Sequence, residues 1–315
     1  MAHRNRWRAR PGRRRTLVHV AVASAVLRSA TAGTTVYVRT QAHGATALVS
    51  KVATAEEGSV SPSPTPSPAA SAAVDRDSAL AAAVRAAAAG HDGPVSVAVL
   101  DVAAGTSAVY ASGDGTYDTA SVVKVDVLCA LLLRAQDEGR ALTAQERTYA
   151  TAMIERSDNA AATALWDVIG GADGLDAANE RLGLTQTRGG NGPFWGLTQT
   201  TAADQLLLLR QVFGVGDSAL GAASRAYVQE LMGNVVADQA WGVSAAGSGG
   251  RELKNGWLRR STTELWDINS VGRIDVAGSR YLVAVLSAGN PAEDGGIALV
   301  EGVAKAAVRA LSDAG

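Results

Sequence analysis

The chain has 315 residues, 47% of them apolar, and one cysteine, Cys129, so no intramolecular disulfide can form whatever the redox compartment. Its net charge of -1 hides an asymmetry: residues 1 to 58 hold 10 of the 29 Lys+Arg but 2 of the 30 Asp+Glu, leaving 19 basic against 28 acidic residues, or -9, for the remainder. An acidic body of about 240 residues is enough for one large domain or a domain with a subdomain, and is a poor match for nucleic acid.

The N-terminus reads as an address. Seven arginines between Arg4 and Arg15 precede the apolar run Thr16 to Leu27, which has signal-peptide length and is too short to span a bilayer alone. Ala30-Thr31-Ala32 before Gly33 fits a cleavage site, and an uncleaved anchor running on through Val38 is the alternative. Either way the chain is expected outside the cytoplasm, secreted or held to the membrane by residues 1–38. Arg14-Arg15-Thr16-Leu17-Val18 faintly resembles a twin-arginine signal and equally reads as an ordinary basic segment, so the export route stays open. Residues 59 to 73 alternate proline with small polar residues, an extended solvated spacer, which makes 39–75 a disordered linker and 76–315 the folded domain.

Within that domain, Val95–Asp101 and Ser107–Ala111 around Ala103-Ala-Gly-Thr read as a β-hairpin. Helical segments follow at 121–138, at 144–156 behind the capping box Thr143-x-x-Glu146, at 160–169, at 174–182 and at 201–213. A strand-like run begins near Lys254, a second hairpin spans Glu264–Val276 and Arg280–Ala288, and Ile297–Leu311 reads as a closing helix. Strands at both ends with helices between predict an α+β fold: a sheet flanked by helices, with a mostly helical insertion. Cys129, on the first helix, reads as a small buried hydrophobe.

Chemistry is concentrated at lysine. Only four occur, and Lys124 closes Ser121-Val-Val-Lys124 while Lys254 opens Lys254-Asn255-Gly256. One helical turn puts Ser121 and Lys124 on the same face, where a neutral amine could take the hydroxyl proton. That needs a lysine pKa well below its reference near 10.4, lowered by burial and by a second cation such as Lys254. Histidine offers little: His3, His19 and His43 lie in the leader and tail, and His91 sits before the first strand. Ser157-Asp158-Asn159 falls between the two lysine motifs, although Ser157 or Asn159 also suits a helix cap. No paired Cys or His spacing suggests a metal, and Gly247-Ser-Gly-Gly250 lacks the strand-turn-helix setting of a phosphate site, so no cofactor is expected.

These three motifs, in this order, resemble the penicillin-recognising serine hydrolases: class A β-lactamases and penicillin-binding transpeptidases or carboxypeptidases. The resemblance covers residues 76–315 and is closest over Met153–Gly171. It implies an antiparallel sheet flanked by helices with the site at the seam, and an acyl-enzyme formed at Ser121 with β-lactams or related amides and esters. By motif position, Lys124 would be the base, Ser157 would relay a proton to the leaving nitrogen, Asn159 would bind a substrate amide, and Lys254 would bind a substrate carboxylate and support Ser157. Backbone N–H groups of Ser121 and Trp257 would form the oxyanion hole, with Gly256 allowing close substrate approach. The implied partner is a small-molecule or peptidoglycan-derived substrate, and a monomer is expected.

Three departures stand against this pattern. Asn255 offers an amide where the family carries a hydroxyl to bind the substrate carboxylate. The interval from Ser121 to Ser157 is shorter than in class A enzymes, implying a trimmed helical subdomain and a more open site. No acidic residue occurs between Glu180 and Asp204, where class A lactamases carry the glutamate that activates the deacylating water. A D-alanyl carboxypeptidase, an esterase, or a wall-facing module that binds β-lactams without hydrolysing them are therefore the alternatives. Trp195, Trp241 and Trp257 either line the cleft or merely pack.

Overall fold

The computed structural model describes residues 68–313. The basic and apolar segment at 1–38 and the linker up to residue 67 lie outside the described residues. Helix α1 spans Pro68–Ala87, so the spacer gives way to helix eight residues before the boundary read at 76. The reason is local: Pro68 suits the first helical turn, and the alanine run after it is the strongest helix former available.

Five strands make the main sheet: β1 (Val95–Asp101), β2 (Thr106–Ala111) and three later strands, β5 (Arg251–Arg259), β6 (Trp266–Val276) and β7 (Ser279–Asn290). Their order is β2-β1-β7-β6-β5, and every adjacent pair is antiparallel. Two short strands, β3 (Tyr117–Asp118) and β4 (Gln199–Thr200), pair separately. The helices are α2 (Val123–Asp137), α3 (Ala144–Glu155), α4 (Asn159–Ile169), α5 (Gly171–Leu182), α6 (Ala202–Phe213), α7 (Ala222–Gly233) and α8 (Glu293–Asp313).

The side-chain alternation of the strands divides the core in two. Ala98, Leu100, Leu282 and Ala284 join the helical core with α2 and α4 to α7, whereas Val97, Val99, Val283 and Val285 face α1 and α8. Burial on both faces explains why β1 reads as a nearly unbroken apolar run.

Helix boundaries follow the capping chemistry. Thr143 Oγ1 accepts from Glu146 N at 3.1 Å while Thr143 N donates to the Glu146 carboxylate at 2.7 Å, closing the expected capping box. Asp158 Oδ1 accepts from Ala161 N at 2.7 Å and starts α4, which Gly170 ends at φ 96°. Helix α7 escapes the sequence reading because Gly221 gives no side-chain cap to announce it. Cys129 is fully buried in the helical core, its thiol pushed up by burial and by Asp126.

Candidate active site

Ser121 sits in a single tight turn, Ala120–Val122, that runs directly into α2. The turn is strained: Ala120 holds φ 47°, and Ser157, between α3 and α4, holds φ 55°, both in the left-handed region that a β-carbon disfavours. Such conformations persist only where the surroundings over-determine them. At Ala120 the surroundings are visible. Asn269, on β6, donates its amide to Asp118 O at 2.9 Å and Thr119 O at 3.1 Å, and Thr119 N donates to Thr198 O at 2.9 Å.

Lys124 lies one turn after Ser121 and is fully buried. Its ammonium donates to Ser157 O at 2.7 Å, to Ser157 Oγ at 3.0 Å and to Asn159 Oδ1 at 2.7 Å. Lys254, equally buried, donates to the same Ser157 Oγ at 2.9 Å and to Asn255 O at 2.8 Å. One hydroxyl thus bridges two lysines. Among the described residues, none of the site's hydrogen bonds runs to Ser121 Oγ, so the lysines converge on Ser157 rather than on Ser121 itself.

Burial sets the electrostatics. It pulls the Lys124 amine down to about 7, opposed by the Asp158 carboxylate. Lys254 is pulled well below the ordinary lysine range by burial first and by the charge of Lys124 second. Burial is the leading cause at both lysines, and the two amines, bridged by one hydroxyl, repel each other.

The third motif divides between two faces of β5. Lys254 and Gly256 share the face toward the helices. A Cβ on Gly256 would lie 2.7 Å from Ser121 N, 2.8 Å from Thr119 O and 2.9 Å from Val122 N, so this glycine lets the strand approach the Ser121 turn rather than only a ligand. Asn255 points the other way. Its side-chain amide donates to Gln239 O at 2.8 Å and Trp241 O at 3.0 Å, and its Oδ1 accepts from Ser270 Oγ at 2.6 Å. Fully buried and fully bonded, it has no capacity left for a substrate carboxylate. That corrects the substrate-binding role read for its side chain. Trp257 follows it onto the same face, where its ring packs on Trp241 with centroids 5.9 Å apart.

Trp195 behaves differently from those two indoles. Its ring lies over Lys124, with Nζ 4.8 Å from the centroid, and its Nε1 donates to Thr163 Oγ1 at 3.2 Å. Beside it opens a cleft of about 640 Å³, lined among others by Thr163, Phe194, Trp195, Leu197, Leu258 and Arg260. Phe194 is 60% exposed at its rim. Arg260 forms an ion pair with Asp118, which also accepts from Gln199. Asn269, Asp118, Arg260 and Thr163 were not singled out by their motifs. Asn269 gave no distinct signal, because β6 also carries the polar residues Asp267, Ser270, Arg273 and Asp275.

An antiparallel five-stranded sheet between two helical layers, with a polar site built around buried lysines, defines a protein of the β-lactamase and penicillin-binding type. Residues 138–311 match the family model described as the beta-lactamase enzyme family, and the chain belongs to that family. The match includes Ser157 and Lys254 and begins after Ser121 and Lys124. Solved structures of the same fold include a PBP-A mutant captured as an acyl-enzyme complex with penicillin G, 21% identical over 75% of this chain and 97% of that one, with TM-score 0.62. A beta lactamase from Xanthomonas campestris is 20% identical over 73% of this chain and 97% of its own, with TM-score 0.60. A class A beta-lactamase from Bacteroides cellulosilyticus is 16% identical over 76% and 99%, with TM-score 0.64. At these identities the likeness is one of fold. No curated protein matches the chain.

Proposed function

We propose that this chain is an exported serine hydrolase whose Ser121 is acylated by β-lactams or related amides and esters. The observation that carries the reading is the Lys124–Ser157–Lys254 bridge, at 3.0 and 2.9 Å through one hydroxyl. With its pKa near 7, a substantial share of Lys124 is neutral at neutral pH and can accept the Ser121 proton as Oγ attacks the carbonyl carbon. Ser157 then passes a proton from Lys124 to the leaving nitrogen, with Lys254 holding its hydroxyl in place. Asn159 presents an exposed amide whose Oδ1 is already taken by Lys124, which leaves its N–H groups for a substrate carbonyl. The contact between Gly256 and Ser121 N is consistent with an oxyanion hole formed by the backbone N–H groups of Ser121 and Trp257. Since Asn255 is occupied, recognition of a substrate carboxylate would rest on Lys254.

A second reading, a penicillin-binding or sensing protein that acylates and releases slowly, is favoured by one observation: the loop lays Trp195 over Lys124, with no carboxylate between Glu180 and Asp204. A D-alanyl carboxypeptidase or an esterase would use the same groups. Export is supported by the basic and apolar N-terminal segment, and a linker of proline and small residues would then separate the domain from the membrane or wall.

The test is to incubate the chain and its Ser121→Ala variant with a fluorescent penicillin, following adducts by intact mass and turnover with nitrocefin. A stoichiometric adduct on the wild type only supports acylation with slow release, and steady Ser121-dependent turnover supports a lactamase. No adduct and no turnover, with equal ligand binding by both proteins, would refute the catalytic reading.

A further inference from the structure

We infer that Trp195 is a positioning residue that bars water from Lys124 and so sets the lifetime of the acyl group on Ser121. The inference rests on the acylation proposed above and goes beyond it in naming the side chain that governs release.

Release by hydrolysis has a fixed balance. Water oxygen adds to the ester carbonyl carbon, the bond from that carbon to Ser121 Oγ breaks, and the proton that water loses to a base returns to Oγ. A base one helical turn from Ser121 is Lys124. Its nitrogen has one bond to carbon and up to three N–H groups, and Ser157 O, Ser157 Oγ and Asn159 Oδ1 already accept three hydrogen bonds from it. The indole covers one further side of the amine, its centroid 4.8 Å away, and a neutral Lys124 that serves Ser121 must give up one of those three hydrogen bonds. A water molecule needs two or more polar partners to be held, and an aromatic face supplies none of comparable strength.

The roof is fixed from three sides. Trp195 Nε1 donates to Thr163 on α4, and Trp166 Nε1, on the same helix, donates to Gly192 O at 3.0 Å. Thr119 N donates to Thr198 O at 2.9 Å, tying the loop to the segment just before Ser121. Inside the loop, Gly190 comes so close to Phe194 O that a Cβ would sit 2.1 Å from it, so the loop closes on itself in a way that only glycine allows. An indole that only filled space could be replaced by other apolar groups. One that excludes water should be replaceable only by a flat ring of similar reach.

The experiment uses the full chain with Trp195→Ala, Trp195→Phe and Thr163→Val, each checked for a cooperative melt. Intact mass follows decay of the penicillin adduct, and acylation is timed against pH. Trp195→Ala is expected to shorten the adduct lifetime by at least about tenfold. Trp195→Phe should stay within about threefold of the wild type, and Thr163→Val, which frees one edge of the ring, should fall between. Because burial is the main cause of the low Lys124 pKa, Trp195→Ala should also move the acidic limb of acylation to higher pH by about one unit. An unchanged lifetime and pH limb in Trp195→Ala would overturn the inference while leaving acylation intact. Equal acceleration by Ala and Phe would overturn it too. If Trp195→Ala does not fold, Thr163→Val decides, and a wild-type lifetime there counts against the proposal. A wild type that takes no adduct at Ser121 overturns the underlying reading, and this one with it.

Discussion

Replacing Gly256 by alanine would test whether the third motif serves the protein's own backbone. The added methyl would meet Ser121 N at 2.7 Å, Thr119 O at 2.8 Å and Val122 N at 2.9 Å, whereas ordinary contact begins at 3.4 Å. Relief requires a displacement of about 0.7 Å. All three neighbours are main chain, so no flexible side chain can swing away, and Asn269 holds the same segment through Asp118 O and Thr119 O. Either β5 moves outward or the Ser121 turn moves inward, and both change the spacing between Ser121, the proposed nucleophile, and Trp257 N. Misplacements of about 1 Å cost on the order of a hundredfold, so acylation should slow by roughly ten- to a hundredfold. Overpacking of this kind costs about 1–3 kcal/mol, which for a domain of this size lowers Tm by roughly 2–10 °C. Stopped-flow acylation with a fluorescent penicillin, paired with a thermal melt, gives both readouts. Wild-type acylation together with a wild-type Tm would refute the argument that the strand and the nucleophile are in contact.

Acylation should rise with pH through about 7 as Lys124 loses its proton, then level off, and a rate that is flat between about pH 5 and 9 would exclude Lys124 as the base. Asn255→Leu strands two carbonyls and the Ser270 hydroxyl, so calorimetry should show Tm lower by about 5–10 °C, while the acylation rate of the folded protein changes less than about threefold. Asp126, fully buried on α2, has its carboxyl pushed from 3.8 up to about 8 by burial, opposed by Asn179. The folded state then keeps a proton that the unfolded state has lost between those values, so stability falls as pH rises from about 4 to 8. Urea titrations across that range should show the decline, and Asp126→Asn should flatten it by removing the charge that burial opposes.

What the sequence conveyed was what repeats or what is local. Val95–Asp101 could be read as an apolar run because both its faces are buried, Ile297–Leu311 because burial imposes a period on it, and Thr143 with Glu146 announces a helix start within four residues. The spacing of Ser121 and Lys124 likewise states a geometry by itself. Asn255 could not be read this way. Its partners, Gln239 O, Trp241 O and Ser270, come from a loop and a neighbouring strand, and no short-range signal tells which face of β5 is open. Trp195 was visible only as an aromatic residue in a loop of glycines and polar residues, because its position over Lys124 depends on how residues 185–200 close between α5 and α6. The helix starting at Pro68 was hidden by the prolines before it, although its alanines carried the signal.

The amide of Asn269 has a mechanical consequence. Through it the main chain just before Ser121 is moored to β6, and Gly256 presses on the same turn from β5, so the Ser121 backbone is tied to the sheet on its N-terminal side and to α2 on the other. Ser157 and Asn159 sit on the connection from α3 to α4 and move with the helices, and the long arms of Lys124 and Lys254 span the joint. A slight shift at that joint would part the Ser121 and Ser157 hydroxyls before the core that the sheet shares with α2 and α4 to α7 is lost, so the proposed activity should fade before a gently heated sample melts.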